Sequence, residues 1–307
     1  MNVLMTGSSG LIGTALTSFL EHQGHPVRRL LRTSSAETNT ASCSWNPADG
    51  SITTGAFEGI DAVVHLAGEN IAGGRWTAAR KDRIRESRVT GTRRLCEAVA
   101  ALEFPPQVLV AASAIGFYGD RGKDELSETS ALGSGFLPEI CQAWESATAP
   151  AQNRGVRVIF LRIGIVLSQK GGALAQMLLP FKLGVGGVLG SGDQQMSWIT
   201  LDDLLAITLH SLTDDSIRGP VNAVTPYPVT NREFTKTLGA VLRRPTVLPV
   251  PAFAVRLLFG EMADALLLAS TRVVPAVLRA SKFEFTYPHL GSALQHVLNK
   301  PGKRLRR

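Results

Sequence analysis

Cysteine is scarce in this chain of 307 residues: Cys43, Cys96 and Cys141 are its whole complement. They are scattered and make no C-x-x-C pair, which excludes a disulfide framework or a zinc cage and points to a reducing compartment. Long apolar runs are missing as well. The nearest to one, Val247 to Ala269, is broken by Pro249, Pro251, Arg256, Glu261 and Asp264, so no membrane-spanning helix is expected. The N-terminus shows no basic stretch leading into an apolar segment and a small-residue cleavage site, so no signal peptide is expected. Several catalytic spacings are absent too. There is no G-x-S-x-G elbow and no H-E-x-x-H helix, and Lys123 and Lys303, each preceded by glycine, are followed by neither Ser nor Thr. Serine-hydrolase, zinc-protease and phosphate-loop chemistry are thereby set aside. The expectation is a soluble, cytoplasmic protein without a membrane partner.

Acids are fewer than bases: 25 Asp and Glu against 32 Lys and Arg leave a net charge of +7. One basic group, Arg75, Arg80, Lys81, Arg83, Arg85, Arg88, Arg93 and Arg94, falls on what reads as one long helix. Another is the tail, Lys300, Lys303, Arg304, Arg306 and Arg307. No helix-turn-helix, RNA-binding aromatic pair or finger spacing accompanies either group, so nucleic acid is not expected as a partner. The helical group would attract a phosphorylated small ligand as readily.

What the chain does have stands at its beginning. Met1 to Met5 is a short apolar run, Thr6-Gly7-Ser8-Ser9-Gly10-Leu11-Ile12-Gly13 follows, and an amphipathic stretch runs from Thr14 to Gln23, ended by Gly24. This is strand, glycine turn and helix, with glycines spaced G-x-x-G-x-x-G. A backbone that bends sharply and lies against a pyrophosphate has no room for a Cβ. The helix start adds N–H groups and a positive dipole end. The context is that of a dinucleotide site.

The next apolar stretch, Pro26 to Arg32, reads as the second strand. Sites for NAD place an acid near its end to hold the ribose 2′-hydroxyl. Here stands Arg32, with Thr33, Ser34 and Ser35 after it and Glu37 as the first acid. A guanidinium beside hydroxyls suits a 2′-phosphate, which favours NADP(H). The plainer alternative is a solvated basic edge of Arg28, Arg29 and Arg32.

Strands and helices then alternate as in a Rossmann-type, doubly wound α/β sheet. Asp61 to Gly68, Val108 to Ser113 and Val156 to Arg162 read as strands, Trp76 to Leu102 and Phe136 to Asn153 as helices. Ligands in such sheets sit outside the carboxyl ends of the strands. Gly7 to Gly13, Arg32, Leu66 to Gly68, Ser113 to Tyr118 and Arg162 to Val166 would line that rim. His65, inside an apolar strand, reads as a core residue.

These pieces resemble the extended and atypical short-chain dehydrogenase/reductases. The matching motifs are Thr6 to Gly13, Val64-His-Leu-Ala-Gly68, Ser113-Ala-Ile-Gly-Phe-Tyr-Gly119 and Trp198-Ile-Thr-Leu-Asp-Asp203. Within that superfamily the chain is most similar to a sugar-nucleotide epimerase-like family. Its signatures stand here as Gly68-Glu-Asn-Ile71, Ser87-Arg88, Leu178-Leu-Pro-Phe181, Gly190-Ser-Gly192 and a block from Pro249 to Leu294. The resemblance implies a cofactor site of Thr6, Gly7, Ser9, Gly10, Leu11, Ile12 and Gly13 at the pyrophosphate, and Arg32 at the adenosine phosphate. Leu66, Ala67, Gly68, Arg88 and Val166 would complete it. It also implies a cofactor domain over residues 1–167, receiving segments near 193–225, and a smaller substrate lobe over 168–307 with a family extension at 249–298. Monomer and homodimer are both compatible with it.

The superfamily's usual chemistry takes a Tyr with a Lys one helical turn later, the Lys lowering the phenol pKa. The three tyrosines, Tyr118, Tyr227 and Tyr287, are followed at plus four by Gly122, Asn231 and Gly291. No such pair exists. Aligned with the family's catalytic helix, Leu137 takes the Tyr position and Cys141 the Lys position. Ser113 and Tyr118 are then the nearest proton-bearing candidates, with Cys141 a third if a positive neighbour ionised it. Three readings stay open: an NADP(H)-dependent oxidoreductase or epimerase-like enzyme using other groups, on a nucleotide sugar or small carbonyl compound; a sensor or scaffold that binds NADP(H) without turnover; and hydride transfer to a substrate that supplies its own acid.

Beyond residue 167, Gly171 to Gly192 reads as a buried helix and a substrate-covering loop rather than a membrane-touching segment. Pro245 to Pro251 reads as an extended connector, Phe253 to Leu268 as helix, and Phe283 to Tyr287 as a short strand. Asp202 and Asp203 read as a helix cap, with one of them facing the rim.

Overall fold

The computed structural model describes residues 1–32 and 42–299. Thr33, Ser34, Ser35, Glu37 and the basic tail lie outside the described residues. The chain packs as two compact units, the first of Met1–Phe117, Leu132–Arg162 and Leu205–Val221, the second of Tyr118–Ala131, Ile163–Leu204 and the chain from Asn222 onwards. The second stretch of the first unit ends at Arg162, where the sequence suggests a boundary after Leu167, and the segment that returns to it begins at Leu205 rather than near 193.

In the first unit the strands β1 (Val3–Thr6), β2 (Val27–Arg32), β3 (Ser42–Trp45), β4 (Ala62–His65) and β5 (Val108–Ala114) join two later ones, Arg157–Ile163 and Gly219–Ala223. Their order across the sheet is Gly219–Ala223, Arg157–Ile163, β5, β4, β1, β2, β3. The β1–β2, β2–β3, β1–β4 and β4–β5 pairings are all parallel. The strand sequence reverses between β1 and β4, which is where such sheets open a ligand crevice. Helices cover both faces, so β1 and β4 are buried along their whole length and read as unbroken apolar runs rather than alternations.

Three helices position the site. Helix α1 (Leu11–His22) follows the glycine turn. Helix α2 (Ala78–Ala100) starts at Thr77, whose hydroxyl accepts from the Arg80 N–H at 3.3 Å. Helix α3 (Phe136–Ser146) stops seven residues short of the expected Asn153. A separate turn at Ala149–Asn153 follows, with Pro150 in its first positions. Proline has no N–H to continue the ladder but fits the start of a new helix.

The second unit has its own core, in which Leu174, Leu178 and Phe181 of helix Gly172–Lys182 pack with Trp198, Phe234, Leu238, Leu290 and Leu294. The expected helix over 253–268 is two pieces, Ala252–Phe259 and Ala263–Leu268, parted at Gly260 with φ 61°. Phe283 to Tyr287 forms no strand. Its backbone is used differently: the N–H groups of Thr286 and Tyr287 donate to the Asp203 carboxylate at 2.8 and 3.1 Å. Asp203 is fully buried and also accepts the Thr200 hydroxyl at 3.0 Å, so it locks a loop instead of facing a rim. Asp202 meets His296 at 2.7 Å.

Among the described residues no helix is long and apolar enough to cross a membrane, and no group of three His, Cys, Asp or Glu could hold a metal ion.

Candidate functional site

The three glycines of the first turn have three separate reasons. Gly7 has φ 71°, and a Cβ there would fall 2.6 Å from the Leu66 carbonyl carbon and 2.7 Å from the Ala67 nitrogen. Gly13 lies so close beneath the turn that a Cβ would stand 2.1 Å from the Gly7 oxygen. Gly10 differs: its nearest neighbour, the Gly7 oxygen, is 3.4 Å from an added Cβ, and the residue is exposed at the N-cap of α1. Two glycines are thus required by the protein's own backbone, and the middle one keeps space free for something outside it. Gly10 carries no side chain to cap α1, and the first i to i−4 bond is Thr14 N–H to Gly10 oxygen at 2.9 Å. The amides of Leu11, Ile12 and Gly13 stand at the N-terminal end of the helix, where they have no partner within it and the dipole is positive. Ser9 is exposed beside them.

Beneath the turn lies a buried polar chain. His65 is hydrogen bonded through Nδ1 to Thr6 at 2.7 Å and through Nε2 to Thr92 at 2.8 Å. Thr92 also accepts from the Trp144 indole at 2.9 Å. Burial holds the His65 pKa down to about 4, so the ring is neutral. The motif puts Thr6 in the cofactor site, but its side chain is fully buried and spent on His65 and on the Ala67 N–H at 3.4 Å. It shapes the turn from inside.

The loop after β4 is held by α2. The Glu69 N–H donates to Ser87 Oγ at 3.0 Å, and Arg88 Nη1 donates to the Glu69 carbonyl at 3.0 Å. Arg80 Nη2 donates to the Asn70 carbonyl at 2.6 Å. The motifs Gly68 to Ile71 and Ser87-Arg88 are therefore one interlocked contact. Arg88 also lies under Gly68, whose Cβ would be 3.5 Å from its guanidinium carbon, and over Trp144 at 5.0 Å. Burial lowers its pKa.

On β2 the three arginines part company. Arg28 donates to the carbonyls of Gly55, Ala56 and Glu58 at 3.2, 2.9 and 3.0 Å. Arg29, paired in register with Met5, donates from Nε to Ser8 Oγ at 3.1 Å. Arg32 is exposed at the strand's end. The row is not a uniform solvated edge.

At the carboxyl ends of β5 and its neighbour Arg157–Ile163, Ser113 and Arg162 converge on Glu145 of α3. Ser113 Oγ donates to Glu145 Oε1 at 2.7 Å. Arg162 grips the same carboxylate with two bonds, Nε to Oε1 at 2.9 Å and Nη2 to Oε2 at 2.8 Å, and its guanidinium lies 3.4 Å from the Phe117 ring centre. Cys141 and Leu137, one and two turns earlier on α3, are buried. Burial and the Glu145 carboxylate push the Cys141 thiol up to about 12, which removes it as a nucleophile or base.

The remaining two candidates belong to the second unit. Tyr118 is fully buried and donates to Asn222 Oδ1 at 2.7 Å. Its expected place on an open rim is corrected to one inside the second unit. Val166 is half-buried on the Ile165–Leu167 strand, beside Ile199.

A family model described as the NAD dependent epimerase/dehydratase family matches residues 3–224. The chain belongs to that family. A domain of unknown function, DUF1731, matches residues 250–297. The epimerase family protein MT2273 of Mycobacterium tuberculosis is 43% identical over 98% of both chains. The crystal structure of human epimerase family protein SDR39U1 with NADPH superposes with TM-score 0.89 at 34% identity, over 98% of this chain and 100% of that one. A nucleoside-diphosphate sugar epimerase of Corynebacterium glutamicum gives 0.81 at 39% identity over 97% of this chain, which spans 58% of that longer one. The motif resemblance to the extended short-chain dehydrogenase/reductases therefore holds.

This epimerase-family chain carries two candidate site residues that sequence reasoning missed, Arg29 beside Ser8 and Glu145 between Ser113 and Arg162. Strand alternation sends Arg28 and Arg29 to opposite faces, a signal that could have singled out Arg29. Glu145 carried none, because it stands 32 residues after Ser113 and 17 before Arg162 and fits no spacing motif. Arg162 has its rim position from the end of its strand, but nothing in the sequence names its partner.

Proposed function

We propose that this protein binds NADP(H) at the glycine turn and acts as an oxidoreductase or epimerase-like enzyme on a small carbonyl compound or nucleotide sugar. The observation that carries this reading is the contrast among the glycines: Gly7 and Gly13 are filled by the protein's own backbone, while Gly10 stands open at the start of α1. Gly7, Ser9, Gly10, Leu11, Ile12 and Gly13 would hold the pyrophosphate. Arg32 would hold the 2′-phosphate by charge-assisted donors, while Arg29 braces Ser8 of the glycine turn. Leu66, Ala67, Gly68 and Arg88 would complete the site. Human SDR39U1, a relative over the whole chain, is a structure with NADPH, which supports the choice of dinucleotide.

When bound, the nicotinamide supplies or takes up hydride. The chain's part is the proton. Ser113 holds one on Oγ, aimed at Glu145, and Arg162 holds that carboxylate in place. A substrate hydroxyl reaching Ser113 would pass its proton to Oγ as Ser113 hands its own to Glu145, and the reverse relay would return a proton to a substrate carbonyl oxygen.

The second reading, a sensor that binds without turnover, is favoured by one observation. Both expected hydroxyls are engaged inside the protein, Ser113 on Glu145 and Tyr118 on Asn222. Calorimetry with NADPH and NADH, followed by NADPH oxidation against nucleotide sugars and small carbonyl compounds, separates the two. Turnover of any compound rules out the sensor; tight binding with no turnover across the panel rules out the enzyme; and absence of binding overturns both.

A further inference from the structure

We propose that an apolar face of the second unit docks on the surface of an anionic lipid bilayer. Large apolar side chains there are open to water: Leu179 and Leu183 are 66 and 69% exposed, Val247 79%, and Phe253, Leu257 and Leu258 71, 73 and 65%. They belong to three segments that touch. Val250 N–H donates to the Val188 carbonyl at 2.8 Å, and Gly190 N–H to the Val250 carbonyl at 2.9 Å. A Cβ on Gly184 would lie 3.9 Å from the Pro245 ring, and one on Gly190 3.8 Å from the Ala252 methyl. The segments that bear these side chains therefore adjoin, and exposed apolar surface gathered in this way marks an interaction surface.

Charge identifies the occupant. Residues 171–192 and 234–260 contain no Asp or Glu. Lys182, Arg243 and Arg244 are exposed at the ends of the segments that bear the patch. Arg256, on the helix with Phe253 and Leu257, is neutralised by Asp264 at 2.9 Å and is not counted. A second copy meeting this face about a twofold axis would oppose basic side chains to one another, whereas anionic headgroups complement them. Apolar side chains entering the headgroup region and basic ones at the surface are the two ingredients of interfacial binding. The expectation of no membrane partner rests on the missing spanning run, which a surface contact does not require, and on reading Gly171 to Gly192 as a buried helix and covering loop, of which Leu179 and Leu183 are in fact exposed.

The test uses the full chain sedimented with phosphatidylcholine vesicles, with and without phosphatidylglycerol, at low and high salt. Pelleting is expected with the phosphatidylglycerol vesicles and is expected to fall at high salt. The pair Leu257→Ser, Leu258→Ser and, separately, the pair Arg243→Glu, Arg244→Glu should each weaken it at least about tenfold. All four sites are exposed, so the melting curve by circular dichroism should not move. If the serine pair unfolds the protein, the charge-reversed pair still decides. No pelleting, or pelleting that neither the charge reversal nor salt reduces, overturns the proposal. So does a dimer in light scattering that the serine pair dissociates while vesicle binding is unchanged, since the face would then belong to a second copy.

Discussion

Ser113 and Arg162 meet on one oxygen of Glu145, the serine at 2.7 Å and the arginine Nε at 2.9 Å. The arrangement stands on the helix where the superfamily keeps its Tyr and Lys, but it is built from different elements. A carboxylate that accepts a charged fork and a hydroxyl together is held rigidly, and the serine proton has a defined direction. Ser113→Ala should lower turnover by about 10²–10⁴-fold if Ser113 passes a proton, with NADPH affinity unchanged. Steady-state rates and calorimetry on one preparation check both halves. Equal loss of binding would make Ser113 a packing residue.

The glycine turn predicts a split among like substitutions. Gly10→Ala should leave folding intact, because φ at Gly10 is −76° and an added Cβ meets nothing closer than 3.4 Å. It should weaken NADPH binding by occupying the approach. Gly13→Ala places a Cβ 2.1 Å from backbone and should destabilise the protein by about 1–3 kcal/mol or more, as overpacking does. Urea denaturation of both variants, beside NADPH titrations, reads the difference. Equal destabilisation by both would contradict it.

Cofactor choice should follow the arginines. NADPH should bind at least about tenfold tighter than NADH, the worth of a charge-assisted phosphate contact of about 1.5–3 kcal/mol. Arg32→Glu should erase or reverse the ratio. Arg29→Ala should release Ser8 in the glycine turn, weakening NADPH and NADH alike. Calorimetry with both dinucleotides on the three proteins measures each effect. A wild-type ratio near one would show that the Arg32 guanidinium meets no phosphate.

His65 makes stability depend on pH. Its ordinary value of 6.5 falls to about 4 when burial excludes the charged ring, so the unfolded chain takes up the proton first as pH falls. The stability it contributes is complete above about 6.5 and is lost progressively between about 6.5 and 4, by about 3 kcal/mol at the lower end. Urea midpoints across that range should fall with acid. In His65→Gln the amide keeps partners for Thr6 and Thr92 but does not titrate, and the slope should flatten. An unchanged slope would assign the acid sensitivity elsewhere.

Much of the fold was legible because short-range spacing encodes it. The glycine triplet, the apolar β1 and β4 and the arginine at the end of β2 each lie within one local segment. Phe283 to Tyr287 misled because alternating aromatics describe a surface that fits a strand, while pairing needs a neighbour that the segment does not have. It gives its N–H groups to Asp203, 83 and 84 residues away in sequence. The end of α3 was missed because the apolar periodicity runs through Pro150. At the site, Ser113 and Arg162 were found by their places at strand ends, whereas Glu145 joins them only through the packing of α3 on the ordered strands. The exposure of Leu257 and Leu258 was hidden for a related reason: periodicity tells which residues share a face, not whether anything covers it.

The crowding of Gly7 against Leu66 and Ala67 has a consequence for assembly. A fragment ending at Arg32 contains every glycine of the motif, yet lacks the wall that presses the turn into shape. That wall arrives with β4, whose pairing with β1 closes a loop of about sixty residues and so forms only at a sizeable entropic cost. The turn is for this reason complete only once β4 has paired with β1, and a ligand seated there would act as a clasp on the middle of the sheet. Its binding and the cohesion of β1 with β4 would be linked, each strengthening the other.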